Sequence, residues 1–239
     1  MKTNCKPLTD ILNLAKALGA TSVTVIPSEN GWVFYIRDQT ACALCSATLV
    51  PAAFGDGYEA WAPFAIDLDF LRDAIAKKDE ADISLDDVIL SITAGKSKCR
   101  RRLFDIDTTP RTLPRVNLKN SVGILSDNLI DAASKKHFAN AGGEFGLTIK
   151  LSEDSIEFSC SSESDSYSET YDTLISNLEE ENEIQCGHFS TEYIIPVLKA
   201  LPKGLPTVIA LDSDFPMKIT IQTELYKIDI FIAPLIIGD

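Results

Sequence analysis

The stretch DILNLAKALGATSVTVIPSENGWVFYI (10–36) reads as a helix, then a strand, a polar turn and a second strand. Ile11, Leu12, Ala15 and Leu18 recur at helical spacing and form one apolar face. Val23 and Val25, then Trp32, Phe34 and Ile36, alternate with polar neighbours, as a strand with one buried face does. The same order returns in DNLIDAASKKHFANAGGEFGLTIKLSEDSIEFSC (127–160), where Leu129, Ile130 and Ala133 make the helical face and Leu147, Ile149 and Leu151 the strand. A second module is also repeated. IDLDFLRDAIAKKDEADISLDDVILSI (66–92) and FSTEYIIPVLKALPKGLPTVIAL (189–211) each show a helix, a turn and an apolar strand. Their helical faces are Leu68, Leu71 and Ile75, and Tyr193, Ile194, Val197 and Leu198. Asp67, Ser126 and Ser190 stand where N-caps belong. Pro196 interrupts the last helix and removes one backbone donor.

The chain is therefore two copies of one unit, each about 120 residues long, which fits the usual domain size. An α+β fold follows: two tandem similar domains, each with two helices packed on antiparallel sheet. Between the copies, DIDTTPRTLPRVNLKNS (105–121) has two prolines and no periodicity, and reads as an extended linker. The expected boundaries are 1–105 for the first domain, 106–120 for the connecting loop and 121–239 for the second domain.

The 239 residues carry 22 Lys and Arg against 35 Asp and Glu, a net charge of −13. Such a balance speaks against nucleic acid as a partner unless the basic side chains are gathered on one face. No apolar run approaches the ~20 residues that span a bilayer, so no membrane partner is expected. MKTNCKPLTD (1–10) has no apolar core segment, and no signal peptide is expected. The six cysteines show no framework spacing, so reduced thiols in an intracellular, reducing compartment are expected.

The basic residues do gather. Lys16, Arg72, Lys77, Lys78, Lys135, Lys136, Lys199 and Lys203 lie on the four predicted helices or at their ends, mixed with Asp69, Asp73 and Asp131. They are either phosphate contacts or ordinary solvated helix positions. KSKCRRR (96–102) is the densest basic run. It is a phosphate site, a subunit edge, or a solvated strand edge on which Lys blunts aggregation. It is no phosphate loop: Leu90 stands where AGKS (94–97) would need its upstream Gly, and a strand follows in place of a helix. In the other copy SYSETYDTLI (166–175) is strand-like and acidic and runs into LEEENE (178–183). Unlike edges of this kind, with Lys98, Arg100, Arg101 and Arg102 on one and Glu169, Tyr171 and Asp172 on the other, suit a heterologous contact that closes a ring.

Other clusters point to no chemistry. Cys42-x-x-Cys45 falls in a strand, which turns the two thiols to opposite faces, and has no second pair. His137 and His188 have no triad or zinc spacing around them. DEADISLDD (79–87) is a solvated acidic turn, and SCSSESDSYSE (159–169) a Ser-rich acidic loop. No cofactor, metal or catalytic residue is expected.

Five further stretches carry a resemblance. IRDQTACALCSATLVPAAFGDGYEA (36–60) resembles the first-domain segment of the proliferating cell nuclear antigen (PCNA) family of archaeal and eukaryotic sliding clamps, in which an MD-S-V-LV strand precedes an FD-Y turn. RRRLFDID (100–107) and TLPRV (112–116) resemble that family's last first-domain strand and its interdomain connector. DSDFPMKITI (212–221) and FIAPLII (231–237) resemble its C-terminal PL strand and terminal LAP-I motif. The chain departs from the family at Arg37, where Met is usual, and at Thr40-Ala41-Cys42, where Ser-His-Val is usual. Those positions help line the family's partner pocket.

The resemblance implies DNA-clamp domains in a ring-forming, head-to-tail homotrimer around duplex DNA. Such a ring gives DNA polymerase its processivity, is served by a clamp loader, and docks replication and repair clients through short peptides. It implies a client pocket at Leu113, Pro114, Pro216, Phe231, Ala233 and Pro234, whose other face is core through Ile228, Ile230, Ile232 and Leu235. It also implies nuclear or, in an archaeon, nucleoid-associated cytoplasmic placement. The alternatives are a specialised clamp subunit of a heterotrimeric or checkpoint-type ring, an enzyme on a duplicated fold, and an acidic interaction protein without DNA.

Overall fold

The computed structural model describes residues 1–104, 113–139, 146–162, 165–179 and 185–235, the side chains of Asp56 and Gln185 apart. Part of the linker (105–112), positions 163 and 164 of the Ser-rich loop, most of the acidic loop (180–183) and the last residues of the tail (236–239) lie outside the described residues. The chain divides into two compact units, Met1–Leu113 with Gln222–Ile228, and Pro114–Ile221 with Asp229–Asp239.

The first unit opens with β1 (Lys2–Asn4) and α1 (Cys5–Ala17). Three strands follow, β2 (Ser22–Ser28), β3 (Gly31–Arg37) and β4 (Ala43–Leu49), then a 3₁₀ turn (Pro51–Gly57) and β5 (Phe64–Asp67). It continues with α2 (Leu68–Ile75), β6 (Glu80–Asp86), β7 (Ile89–Ala94) and β8 (Ser97–Arg102). Its strands form two antiparallel sheets, in the orders β1-β6-β7-β8 and β4-β3-β2-β5. α1 starts five residues ahead of Asp10, where the helical spacing in the sequence begins. Asn4 caps it, its side chain accepting from the Lys6 amide at 3.0 Å. Cys5 and Leu8 are buried there and extend the apolar face.

The second unit has β9 (Ser121–Leu125), α3 (Ser126–Ser134), the short α4 (Lys136–Ala139), β10 (Leu147–Leu151), β11 (Ser155–Ser161) and β12 (Ser166–Asp172). Then come β13 (Ile175–Asn177), β14 (Gln185–Phe189), α5 (Thr191–Lys199), β15 (Pro206–Ala210), β16 (Met217–Gln222) and β17 (Tyr226–Ile232), whose first residues belong to the other unit. Its strand orders are β13-β9-β15-β16-β17 and β12-β11-β10-β14. Leaving β13 aside, these repeat the first unit's two orders strand for strand. The duplication seen in the sequence is a duplication of topology.

Each helix pair covers its own sheets. Leu8, Ile11, Leu12, Leu14 and Ala15 of α1, and Leu68 and Leu71 of α2, are fully buried. So are Leu129 and Ala133 of α3, and Ile194, Val197 and Leu198 of α5. The three predicted caps differ. Asp67 caps α2, accepting from the Phe70 amide at 2.7 Å. Ser126 does not cap α3: it is the helix's first residue, fully buried, and its hydroxyl accepts from the Leu205 amide at 3.1 Å. Ser190 holds the N-cap position of α5 without a side-chain bond.

The apolar tail is mostly core. Ile228, Ile230 and Ile232 are fully buried on β17, and the Leu235 amide donates to His188 O at 2.7 Å. Cys42 lies just before β4, and Cys45 is buried within it. AGKS forms the β7–β8 hairpin, with Gly95 at φ +61.

Candidate functional site

The eight helix-end cations fall into small clusters set by where each helix stops. In the first unit the last turn of α1 meets the first turn of α2. Lys16 Nζ donates to Asp69 at 3.0 Å, and Arg72 reaches Asp69 at 3.5 Å and Asn13 Oδ1 at 3.2 Å. The Lys16 bond and charge hold the Asp69 carboxyl below its ordinary range. In the second unit Lys135 Nζ lies 3.0 Å from Asp131 and 3.4 Å from Glu169. Tyr171 Oη donates to Asp131 at 2.8 Å, and Tyr167 Oη donates to Glu169. The Tyr171 bond, with Lys135, keeps Asp131 low, while burial pushes the Tyr171 phenol up. Lys135, expected to face DNA, thus shares one network with Glu169 and Tyr171, expected at a subunit edge.

The opposite end of each helix pair is different. Residues beyond α2 meet the start of α1, where the Cys5 amide donates to Asp79 O at 2.9 Å. Residues beyond α5 meet the start of α3, where the Gly204 amide donates to Asp127 Oδ2 at 2.6 Å. Lys77 and Lys78 stand at the first of these ends, Lys199 and Lys203 at the second. All four are exposed and have no ion pair among the described residues. Lys136 is exposed too, and lines a cleft of about 650 Å³ with His137, Cys160, Asp165 and Tyr167.

KSKCRRR is an edge. β8 closes the order β1-β6-β7-β8, and β12 opens the order β12-β11-β10-β14. Alternation splits β8. Arg101 pairs across with the buried Leu90 and turns to α2, with its guanidinium 5.6 Å from the Phe70 ring centroid and 3.5 Å from Asp67. Lys98, Arg100 and Arg102 are exposed and have no ion pair among the described residues. On β12, Glu169 and Tyr171 turn towards α3, and Asp172 is exposed.

The six pocket candidates do not share one unit. Leu113 is half-buried in the first. In the second, Pro114 is exposed, Pro216 precedes β16, and Ala233 and Pro234 are half-buried after β17. Phe231 is 6% exposed and lies under the Lys218 ammonium, 5.4 Å from its ring centroid. Sequence reasoning missed Phe215, which is 51% exposed beside Pro216. An aromatic set among Asp, Ser and Pro in a turn is the signal that could have found it. Among the described residues no group of three or more His, Cys, Asp or Glu could hold a metal ion.

The geometry is thus one of surfaces: two helix pairs with cationic ends, and two free strand edges of unlike charge. No protein-family model and no curated protein matches the chain. Solved structures do. The chain is similar to Archaeoglobus fulgidus PCNA in a structure with the C-terminal region of FEN-1 bound, with a TM-score of 0.84 at 16% identity, covering 100% of this chain and 99% of that one. It is similar to PCNA from Entamoeba histolytica, with a TM-score of 0.82 at 17% identity, covering 98% and 97%. It is similar to PCNA from Thermococcus kodakaraensis, with a TM-score of 0.84 at 12% identity, covering 98% and 99%. At these identities the likeness shows the fold: two tandem clamp-type α+β domains over the whole chain.

Proposed function

We propose that this chain is a DNA sliding clamp. It closes head to tail into a homotrimer, encircles duplex DNA without sequence preference, and gives a replicative polymerase its processivity. It docks other replication and repair proteins, and performs no chemistry of its own. The observation that carries this reading is the duplicated unit whose copies end in unlike free edges, basic β8 and acidic β12. A self-complementary contact joins like patches, whereas unlike edges on one chain propagate from copy to copy and close if the rotation allows. Encirclement also reconciles the net charge of −13 with a DNA partner, because a topological link needs only weak backbone contacts. Among the described residues no helix is long and apolar enough to cross a membrane. Nuclear or nucleoid placement belongs to the proposal.

The client site lies in the second unit, at Pro114, Pro216, Phe231, Ala233 and Pro234, where short peptides with aromatic and aliphatic anchors dock. A client segment bound to a protein of this fold supports the reading: the structure of Archaeoglobus fulgidus PCNA has the C-terminal region of FEN-1 bound. The test is absolute mass by light scattering across a concentration series, followed by retention on circular against linear DNA. A homotrimer gives about 78 kDa, three times 26.1 kDa. Retention on closed circles and loss from linear DNA establishes encirclement. Arg37, at the end of β3 where the family has Met, favours a second reading, a subunit specialised for a mixed ring. A persistent monomer that trimerises only with other clamp chains selects it.

A further inference from the structure

We propose that the cations of the helix face divide into two classes, and that the DNA backbone is followed by Lys77, Lys78, Lys199 and Lys203 alone, while Lys16, Arg72 and Lys135 serve the fold. This rests on the clamp reading and goes beyond it by naming the track. A phosphate approaching Lys16 meets Asp69 3.0 Å from the ammonium, and one approaching Lys135 meets Asp131 at 3.0 Å and Glu169 at 3.4 Å. Each must displace a resident carboxylate or accept its repulsion, and neither lysine releases counterions as a free ammonium does. Lys77, Lys78, Lys199 and Lys203 carry no such partner among the described residues.

Their placement is also repeated. Lys77 and Lys78 follow α2, and Lys199 ends α5 with Lys203 just beyond it, so each copy offers one free pair at the same end of its helix pair. A helix C-terminus favours positive charge, so these ammoniums sit where the helix dipole welcomes them. Lys77 adds an independent sign. It sits at φ +56, a left-handed conformation in which Gly is cheaper, whereas the turn after α5 uses Gly204 at φ +74. The side chain is kept although the backbone works against it. Lys136 is free as well, but it opens the cleft beside Tyr167 and has no counterpart in the first unit.

The experiment is lysine footprinting. The assembled protein is acetylated with and without a short DNA duplex at low salt, and each lysine is read by mass spectrometry, while anisotropy of the labelled duplex reports binding. Acetylation at Lys77, Lys78, Lys199 and Lys203 should fall about threefold or more on binding, with Lys16 and Lys135 nearly unchanged. Equal protection of Lys16 and Lys135 overturns the division and leaves the clamp reading standing. A trimer that binds no duplex at any salt overturns both. The variant K77A/K78A/K199A/K203A, altered only at exposed positions, should bind about tenfold more weakly and with a flatter salt dependence. Unchanged affinity and salt slope in that variant also overturn the division.

Discussion

The Tyr226 hydroxyl donates to Asp10 Oδ2 at 3.2 Å, although the two residues stand 216 apart in the chain. Both are buried, at 4% and 7% exposure, and Lys6 Nζ reaches Asp10 Oδ1 at 2.7 Å. The contact ties the segment 222–228 to α1 within the first unit. Tyr226→Phe should therefore lower stability by about 1–3 kcal/mol, the range for a buried bond to a charged acceptor, read as a urea midpoint shift with unchanged slope.

The same pair sets an alkaline limit. Burial first, then the Asp10 charge and bond, hold the Tyr226 phenol above its ordinary 10.0. Above that pH the unfolded chain has released the proton and the folded chain keeps it. The unfolded state then binds fewer protons, and stability falls as pH rises. Tyr171 acts with the same sign in the second unit. Urea midpoints should be level below about pH 9 and drop by about pH 11, with a smaller drop in Tyr226→Phe. An equal drop in the variant would assign the effect elsewhere.

Reversing the basic edge should open the proposed ring. Arg100→Glu, Arg101→Glu and Arg102→Glu together replace attraction to β12 of a neighbour by repulsion. The expected mass is that of the 26.1 kDa monomer at concentrations where the parent is trimeric. Arg101→Glu also loses its contacts with Asp67 and Phe70, so Arg100→Glu with Arg102→Glu is the control that leaves α2 untouched. An unchanged mass in both variants would remove β8 from the interface.

Gly31 begins β3 at φ +115, and a Cβ there would lie 2.0 Å from Leu49 O on β4. Neither the backbone angle nor the space admits a side chain. Gly31→Ala should cost about 3 kcal/mol or more, from strain and the parting of β3 from β4, seen as a large fall in the thermal midpoint.

Both tryptophans report on one unit. Trp32 is fully buried, and its ring centroid lies 5.7 Å from that of half-buried Trp61, with Phe54 and Phe64 at 4.8 and 5.4 Å. The emission of Trp61→Phe, with Trp32 alone, should be blue-shifted relative to Trp32→Phe. In a denaturant series the emission should follow the first unit, and far-ultraviolet circular dichroism both. Trp32→Ala should cost about 3–5 kcal/mol, as expected for emptying a large core site.

Much of the fold was legible in the sequence. Helical and strand periodicities are local, and burial of one face enforces them, so α2, α3, α5, β2, β3 and the duplication followed from spacing alone. The free edge β8 was legible as well, because a run of charge on a strand disfavours a neighbour from its own chain. The start of α1 was not, since Cys5 and Pro7 carry no helical signal until Asn4 supplies the cap. Nor was the role of Ser126, whose hydroxyl serves Leu205, 79 residues away. The helix-end cations were legible as a set, but not which of them are free. That depends on Asp69 lying 53 residues from Lys16, and on Glu169 of β12 reaching Lys135. The chain by itself determined most helices and strands and which faces are apolar, because backbone geometry and water act on near neighbours. The exceptions are 79–87, read as a solvated turn but largely β6, and 159–169, read as a loop but holding the end of β11 and the start of β12. The tertiary structure decided which charges are already satisfied, because an ion pair exists only where packing brings distant side chains within about 4 Å.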